Sequence, residues 1–169
     1  MITKVDAATD TALPGAVIDY FDAWTRHDAA GVAACFAPGG TFENPGSGGP
    51  QHGSALTAYA RALFDVFPDV RFEVLGTSVC GDVVSVQWLM RATNTGPLLG
   101  LPATGLPIAV PGADFIVVEG SRLRSVRGYY DQSTVFEQLG LERCKGGEAW
   151  THSIRLRMLA GAWVAASAR

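Results

Sequence analysis

Cysteine is scarce and poorly placed for a structural role. The three residues, Cys35, Cys80 and Cys144, are odd in number, widely spaced and form no Cys-x-x-Cys pair. That usage predicts reduced thiols in a cytoplasmic protein rather than a disulfide framework. Histidine is as sparse, and His27, His52 and His152 stand in no spacing that would hold zinc, so no metal is expected. No apolar run reaches the roughly 18 residues of a membrane span. Met1 to Asp10 carries Lys4, Asp6 and Asp10 and lacks the apolar centre of a signal peptide. A positive excess is missing too: 13 Lys+Arg against 16 Asp+Glu give a net charge of −3. Nucleic acid is therefore a poor candidate partner, because phosphate binding needs a basic patch. There is no phosphate-cradling glycine loop between a strand and a helix, and no Ser-His-Asp spacing.

What is present is enough apolar sequence for one domain. Hydrophobic residues make up 48% of the 169 and charged residues 17%, the balance of a chain that buries a core. Charge divides the chain unevenly. Residues 1–141 carry a net −6 and residues 142–169 a net +3, predicting an acidic domain over 1–141 and a basic C-terminal extension over 142–169. The extension places Ile154, Met158, Gly161, Ala162 and Ala165 at roughly helical spacing. That pattern suggests a partly helical segment seated on the domain or across a subunit interface.

Periodicity orders the elements. A helix is predicted from Leu13–Pro14, capped by Asp10 or Thr11, with Val17, Tyr20, Phe21 and Trp24 on one stripe. Asp28 is placed to cap a second helix, Ala29 to Phe36, stopped by Pro38-Gly39-Gly40. A short strand, Thr41 to Pro45, leads to a third helix capped by Ser54 with the stripe Leu56, Tyr59, Ala60, Leu63 and Phe67. The period then changes to two. Strands are expected at Val70–Leu75, Val83–Ala92, Pro107–Val110, Ala113–Val118 and Leu123–Asp131, with Val84, Val86, Trp88 and Met90 sharing a face. Helices first and consecutive strands afterwards make an α+β fold with a mainly antiparallel sheet.

A curved sheet against three helices has its pocket on the concave face, where polar residues become the functional candidates. Asp131 is the first of these. It ends a strand on which Arg127 and Tyr129 share its face, and a carboxylate in an apolar cavity can move a proton near neutrality. The alternative is that Asp131 caps the helix starting at Gln132. Asn44 is either a turn residue before proline or an amide donor to a substrate oxygen. Glu43 and Asp114 are further carboxylates, Asp114 following Gly112 near a strand start. Arg127 could fix an anion or pair with a carboxylate. Tyr20 and Trp24 either fill the core or wall an aromatic ligand's pocket, and Tyr59, Trp88 and Tyr129 complete the candidate binding set.

The order of these elements resembles the nuclear-transport-factor-2-like superfamily, and within it the SnoaL-like polyketide cyclases. The similarity rests on Tyr20-Phe21-Asp22-Ala23-Trp24-Thr25-Arg26-His27-Asp28, Phe42-Glu43-Asn44-Pro45-Gly46, Phe67-Pro68-Asp69-Val70-Arg71-Phe72, Gly100-Leu101-Pro102-Ala103-Thr104-Gly105, and Asp131-Gln132 followed by Glu137-Gln138-Leu139-Gly140. It implies a cone-shaped barrel of strongly curved sheet wrapped on three N-terminal helices, with an open-ended apolar cavity, often as a homodimer. It also implies cofactor-free intramolecular aldol cyclisation of a hydrophobic, polyketide-derived substrate. The family's acid/base aspartate maps onto Asp131, its asparagine onto Asn44 and its early aromatic position onto Tyr20. The histidine such cyclases carry on the penultimate strand has no counterpart in Ala113–Val118. Hydration, dehydration, epoxide opening by Asp131 with Glu43 or Asp114, and binding without chemistry are the alternatives on the same fold.

Overall fold

The computed structural model describes residues 12–141. The capping expected of Asp10 or Thr11 and the helical stripe expected in 142–169 lie outside those residues. Pro14 precedes α1 (Gly15–Thr25), whose buried side is Val17, Tyr20 and Trp24, as the stripe requires. Asp28 caps α2 (Ala29–Ala34) by accepting the Gly31 N–H at 2.8 Å, a bond that satisfies one of the orphan donors of a helix start. α2 ends before Phe36 because that residue already belongs to β1 (Phe36–Glu43). Pro38-Gly39-Gly40 therefore sits inside a strand. The register against the neighbouring strand jumps between Phe36↔Leu123 and Thr41↔Ser125, and this bulge absorbs the breakers. A Cβ on Gly40 would lie 2.8 Å from the Leu123 carbonyl oxygen, so only glycine permits the close approach.

α3 (Gly53–Val66) buries Leu56, Tyr59, Ala60 and Leu63 as expected, but its cap position is His52, and Ser54 is inside the helix. The remaining strands are β2 (Arg71–Cys80), β3 (Val83–Thr93), β4 (Pro107–Glu119) and β5 (Arg122–Tyr130), with α4 (Gln132–Gln138) last. The order across the sheet is β1-β5-β4-β3-β2, with β1 parallel to β5 and every other pair antiparallel. β1 and β2 are its edges, so the sheet curls around the helices without closing into a barrel. No helix among the described residues is long and apolar enough to cross a membrane.

β4 is one strand where the sequence suggested two. Pro111 does not interrupt it, because β5 reaches only as far as the pair Gly112↔Tyr130 and the other flank of 107–111 is an open edge. A proline is tolerated where its missing N–H would face such an edge. α4 covers the same edge: the Ala109 N–H donates to Gln138 Oε1 at 2.6 Å, and Gln138 Nε2 donates to the Ala109 carbonyl at 3.0 Å. Asp114 is consequently placed in mid-strand, where its neighbours fix the direction of its side chain.

The link from β3 to β4 is tied down by Asn94, which is 0% exposed. Its Oδ1 accepts the Thr104 N–H at 2.8 Å, and its Nδ2 donates to the Gly96 carbonyl at 2.8 Å. Thr104 belongs to the Gly-Leu-Pro-Ala-Thr-Gly stretch, whose job here is structural. Asn94→Ala leaves the Thr104 N–H and the Gly96 carbonyl without that partner, and stability should fall by about 2–3 kcal/mol. Urea unfolding tests this, and a loss below about 0.5 kcal/mol would show that the loop is not held this way.

Candidate active site

The inward parity of β3 brings Trp88 and Met90 to the concave face, and that of β4 brings Asp114. α1 contributes Tyr20 and Trp24, and α3 contributes Tyr59. Together they line one cavity that opens to solvent at its mouth and is walled mainly by aromatic and apolar side chains. Two glycines make the room. Gly112 is paired with Trp88 across β3 and β4, and a Cβ there would run into the indole's six-membered ring. Gly128 is paired with Asp114 across β4 and β5, and a Cβ there would stand 2.9 Å from Asp114 Oδ1 and 3.2 Å from Asn44 Cβ.

Asp114 is the one carboxylate among the lining residues described, and it is 6% exposed. Burial pushes its pKa up to about 7, against the weaker opposing pull of the Trp88 indole. Desolvation penalises the charged form, and no cation lines the cavity among the described residues to compensate. The Trp88 Nε1–H is buried without a full hydrogen bond, though its dipole is felt by Asp114. The Tyr20 and Tyr59 phenols are raised well above their ordinary range, chiefly by burial, and Tyr130 is pushed up to about 12 for the same reason. All three stay neutral near pH 7.

Asn44 follows β1 and is fixed by its own turn. Ser47 Oγ accepts the Asn44 N–H at 3.0 Å and donates to the Gly49 carbonyl at 2.8 Å. Asn44 Oδ1 accepts the Gly46 N–H at 2.9 Å, which orients the amide so that Nδ2 donates to the Tyr59 hydroxyl at 2.9 Å. Of the expected site residues, Asp114, Asn44, Tyr20, Trp24, Tyr59 and Trp88 therefore share one cavity.

The other four do not. Asp131 is exposed and stands at the N-cap of α4, accepting the Ser133 N–H at 2.8 Å. Its alternative reading as a cap is the one the geometry supports, and the buried-base assignment is corrected. Glu43 and Arg127 form a partly exposed ion pair at 3.0 Å, and Tyr129, 51% exposed, packs edge-on against Phe115. Arg127 and Tyr129 do share a face with each other, but it is the outer one. The inner parity of β5 is Val126, Gly128 and Tyr130, so Tyr130 is the lining residue missed. Its signal was available: it keeps step with Val126, an apolar position. Phe72 on β2 was missed as well, because β2 is an edge strand with little burial contrast to read.

With this geometry, residues 17–126 match the family of the SnoaL-like domain. No curated protein matches the sequence. Among solved structures, a candidate SnoaL-like polyketide cyclase from Jannaschia sp. CCS1 is 23% identical, covering 78% of this chain and 97% of its own, with a TM-score of 0.68. IdmH, a candidate polyketide cyclase from Streptomyces antibioticus, is 22% identical over 76% of this chain and 99% of its own, with a TM-score of 0.67. AclR, a candidate hydroxylase from Streptomyces galilaeus, is 17% identical over 75% and 93%, with a TM-score of 0.66. These likenesses agree on the fold and differ in the activity named. The match over most of the described core places the chain in the SnoaL-like domain family.

Proposed function

We propose that this protein is an enzyme that performs acid/base chemistry on a hydrophobic, polyketide-derived carbonyl compound, with intramolecular aldol-type cyclisation as the reaction. The observation that carries the proposal is a single buried carboxyl, Asp114, titrating near neutrality in an otherwise apolar cavity. Asp114 takes a proton from the carbon alpha to a carbonyl, and the C–H electron pair becomes the enolate. The free N–H of the Asn44 amide, held by Gly46 and Tyr59, is the donor to the enolate oxygen. The enolate carbon bonds to a second carbonyl carbon of the same molecule, and Asp114 returns the proton to the new alkoxide. No metal or redox cofactor is required by these steps. Water chemistry by a pair of carboxylates draws less support, because Glu43 lies in the outer ion pair. The same reading has the protein in the cytoplasm as a homodimer, with Phe115 and Tyr129 as exposed apolar surface for a partner.

The test is proton exchange. Incubated in D₂O with 1-tetralone, the protein should accelerate deuterium incorporation alpha to the carbonyl, with a rate that follows the ionisation of one group near pH 7. Binding of hydrophobic ketones with no acceleration for any of them would favour a binding protein over an enzyme.

A further inference from the structure

We infer that the cavity accepts a hydrophobic tertiary or quaternary ammonium cation, with Asp114 as its counter-ion and a belt of aromatic rings as its wall. The belt is continuous. Ring centroids step from Tyr59 to Phe42 at 5.3 Å, Phe42 to Trp24 at 6.1 Å, Trp24 to Phe72 at 5.9 Å, Phe72 to Trp88 at 5.3 Å and Trp88 to Tyr130 at 6.3 Å. It closes at Gly46, where a Cβ would lie 2.7 Å from the Tyr130 hydroxyl and 3.4 Å from that of Tyr59. Every ring of the belt lines the cavity.

Aromatic faces carry negative electrostatic potential, and cations seat against them most strongly where water is excluded. Here the rings surround a space whose only formally chargeable anion is Asp114, and no Lys, Arg or His lines it among the described residues. Asp114 forms no ion pair within the described residues. The titratable groups around it are the phenols of Tyr20 from α1, Tyr59 from α3 and Tyr130 from β5, all neutral below pH 9. No charged side chain lines the cavity from β1, β3 or β5. The site is thus complementary to a positive charge that the chain itself does not provide. A tertiary or quaternary ammonium suits it better than a primary one, which would lose strong hydration with few acceptors to replace it. The inference uses the same cavity and carboxyl as the proposed reaction but does not depend on Asp114 moving a proton in turnover.

The probe pair is benzyltrimethylammonium and its neutral isostere neopentylbenzene, titrated calorimetrically into the full-length protein. At pH 8 the cation should bind at least ten-fold more tightly. Below the Asp114 titration its affinity should fall about ten-fold per pH unit, because binding then releases a proton. The isostere should show no such dependence. In Asp114→Asn the preference should disappear while neopentylbenzene still binds, which also shows that the variant is folded. Equal or tighter binding of neopentylbenzene at pH 8 by wild type overturns the inference, as does undiminished cation affinity in Asp114→Asn. Loss of ketone exchange in Asp114→Asn without cation binding by wild type would remove this inference alone. Cation binding by a wild type that exchanges no ketone would remove the enzymatic reading alone.

Discussion

Replacing Asp114 by asparagine is expected to lower turnover of a hydrophobic carbonyl substrate by about 10²–10⁴-fold, the usual contribution of a positioned general base. The amide keeps the shape of the carboxyl and cannot accept the proton. In wild type, kcat/KM should rise with pH through an apparent pKa near 7 as the carboxylate forms, and that limb should vanish in the variant. The same residue predicts a stability effect with a definite sign. Its pKa is raised in the fold from 3.8 to about 7, so between those values the native protein holds a proton that the unfolded chain has lost. Stability is therefore greatest below pH 3.8 as far as this group is concerned, and falls as pH rises to about 7. At about 1.4 kcal/mol per pH unit the loss is on the order of 4 kcal/mol. Urea unfolding of wild type and Asp114→Asn across pH 4–8 measures it: the difference in stability between them should change steadily up to about pH 7 and then level off. Parallel curves would mean that Asp114 ionises as freely in the fold as outside it, and the acid/base assignment would fall with that result. Asp131→Asn should leave the pH–rate profile in place, since its carboxylate only holds the first turn of α4.

The second large effect is expected at Gly112. Its position opposite Trp88 leaves no space for a methyl group, because the Cβ would overlap the far edge of the indole. Trp88 is 4% exposed and wedged between Phe72 and Tyr130, so it cannot swing aside without moving the belt. Gly112→Ala should cost about 3 kcal/mol, the upper part of the range for overpacking, and should weaken every cavity ligand by pushing the indole inward. Trp88→Leu by itself should cost a similar amount through the void it leaves. The double variant should be more stable than the sum of the two losses by at least about 1 kcal/mol, because leucine vacates the space the methyl needs. Additive losses in this cycle would show that the glycine is not required by the indole.

Much of this fold was legible beforehand. The stripe Val17–Tyr20–Trp24, the cap Asp28 and the inward set Val84–Val86–Trp88–Met90 are local patterns, and each appears as read. Where the reading went astray, a long-range contact overrode a local signal. Pro38-Gly39-Gly40 reads as a stop, yet pairing of β1 with β5 carries the strand through it as a bulge. Pro111-Gly112 reads as a break, yet β3 pairs with β4 without interruption from Pro107 to Val117, and Gln138 takes the free backbone bonds at Ala109.

The sequence by itself determined the elements, their α+β order, the aromatic wealth of α1 and α3 and the alternation along each strand. It also determined that Arg127 and Tyr129 lie on one face of β5, since side chains repeat every second residue. Only the tertiary structure decided which face is concave. Asp131 and Asp114 are both carboxylates near glycine; alternation sets Asp131 in step with Arg127 and Asp114 in step with Ile116, but it does not say what covers either one. The difference arises from partners far along the chain: Asp114 is opposite Gly128 and under Trp88, while Asp131 finds the N–H groups of the next helix. A shift of one residue in parity reverses every side chain of a strand. Desolvation depends on what covers a group, and that cover is assembled from elements far apart in sequence.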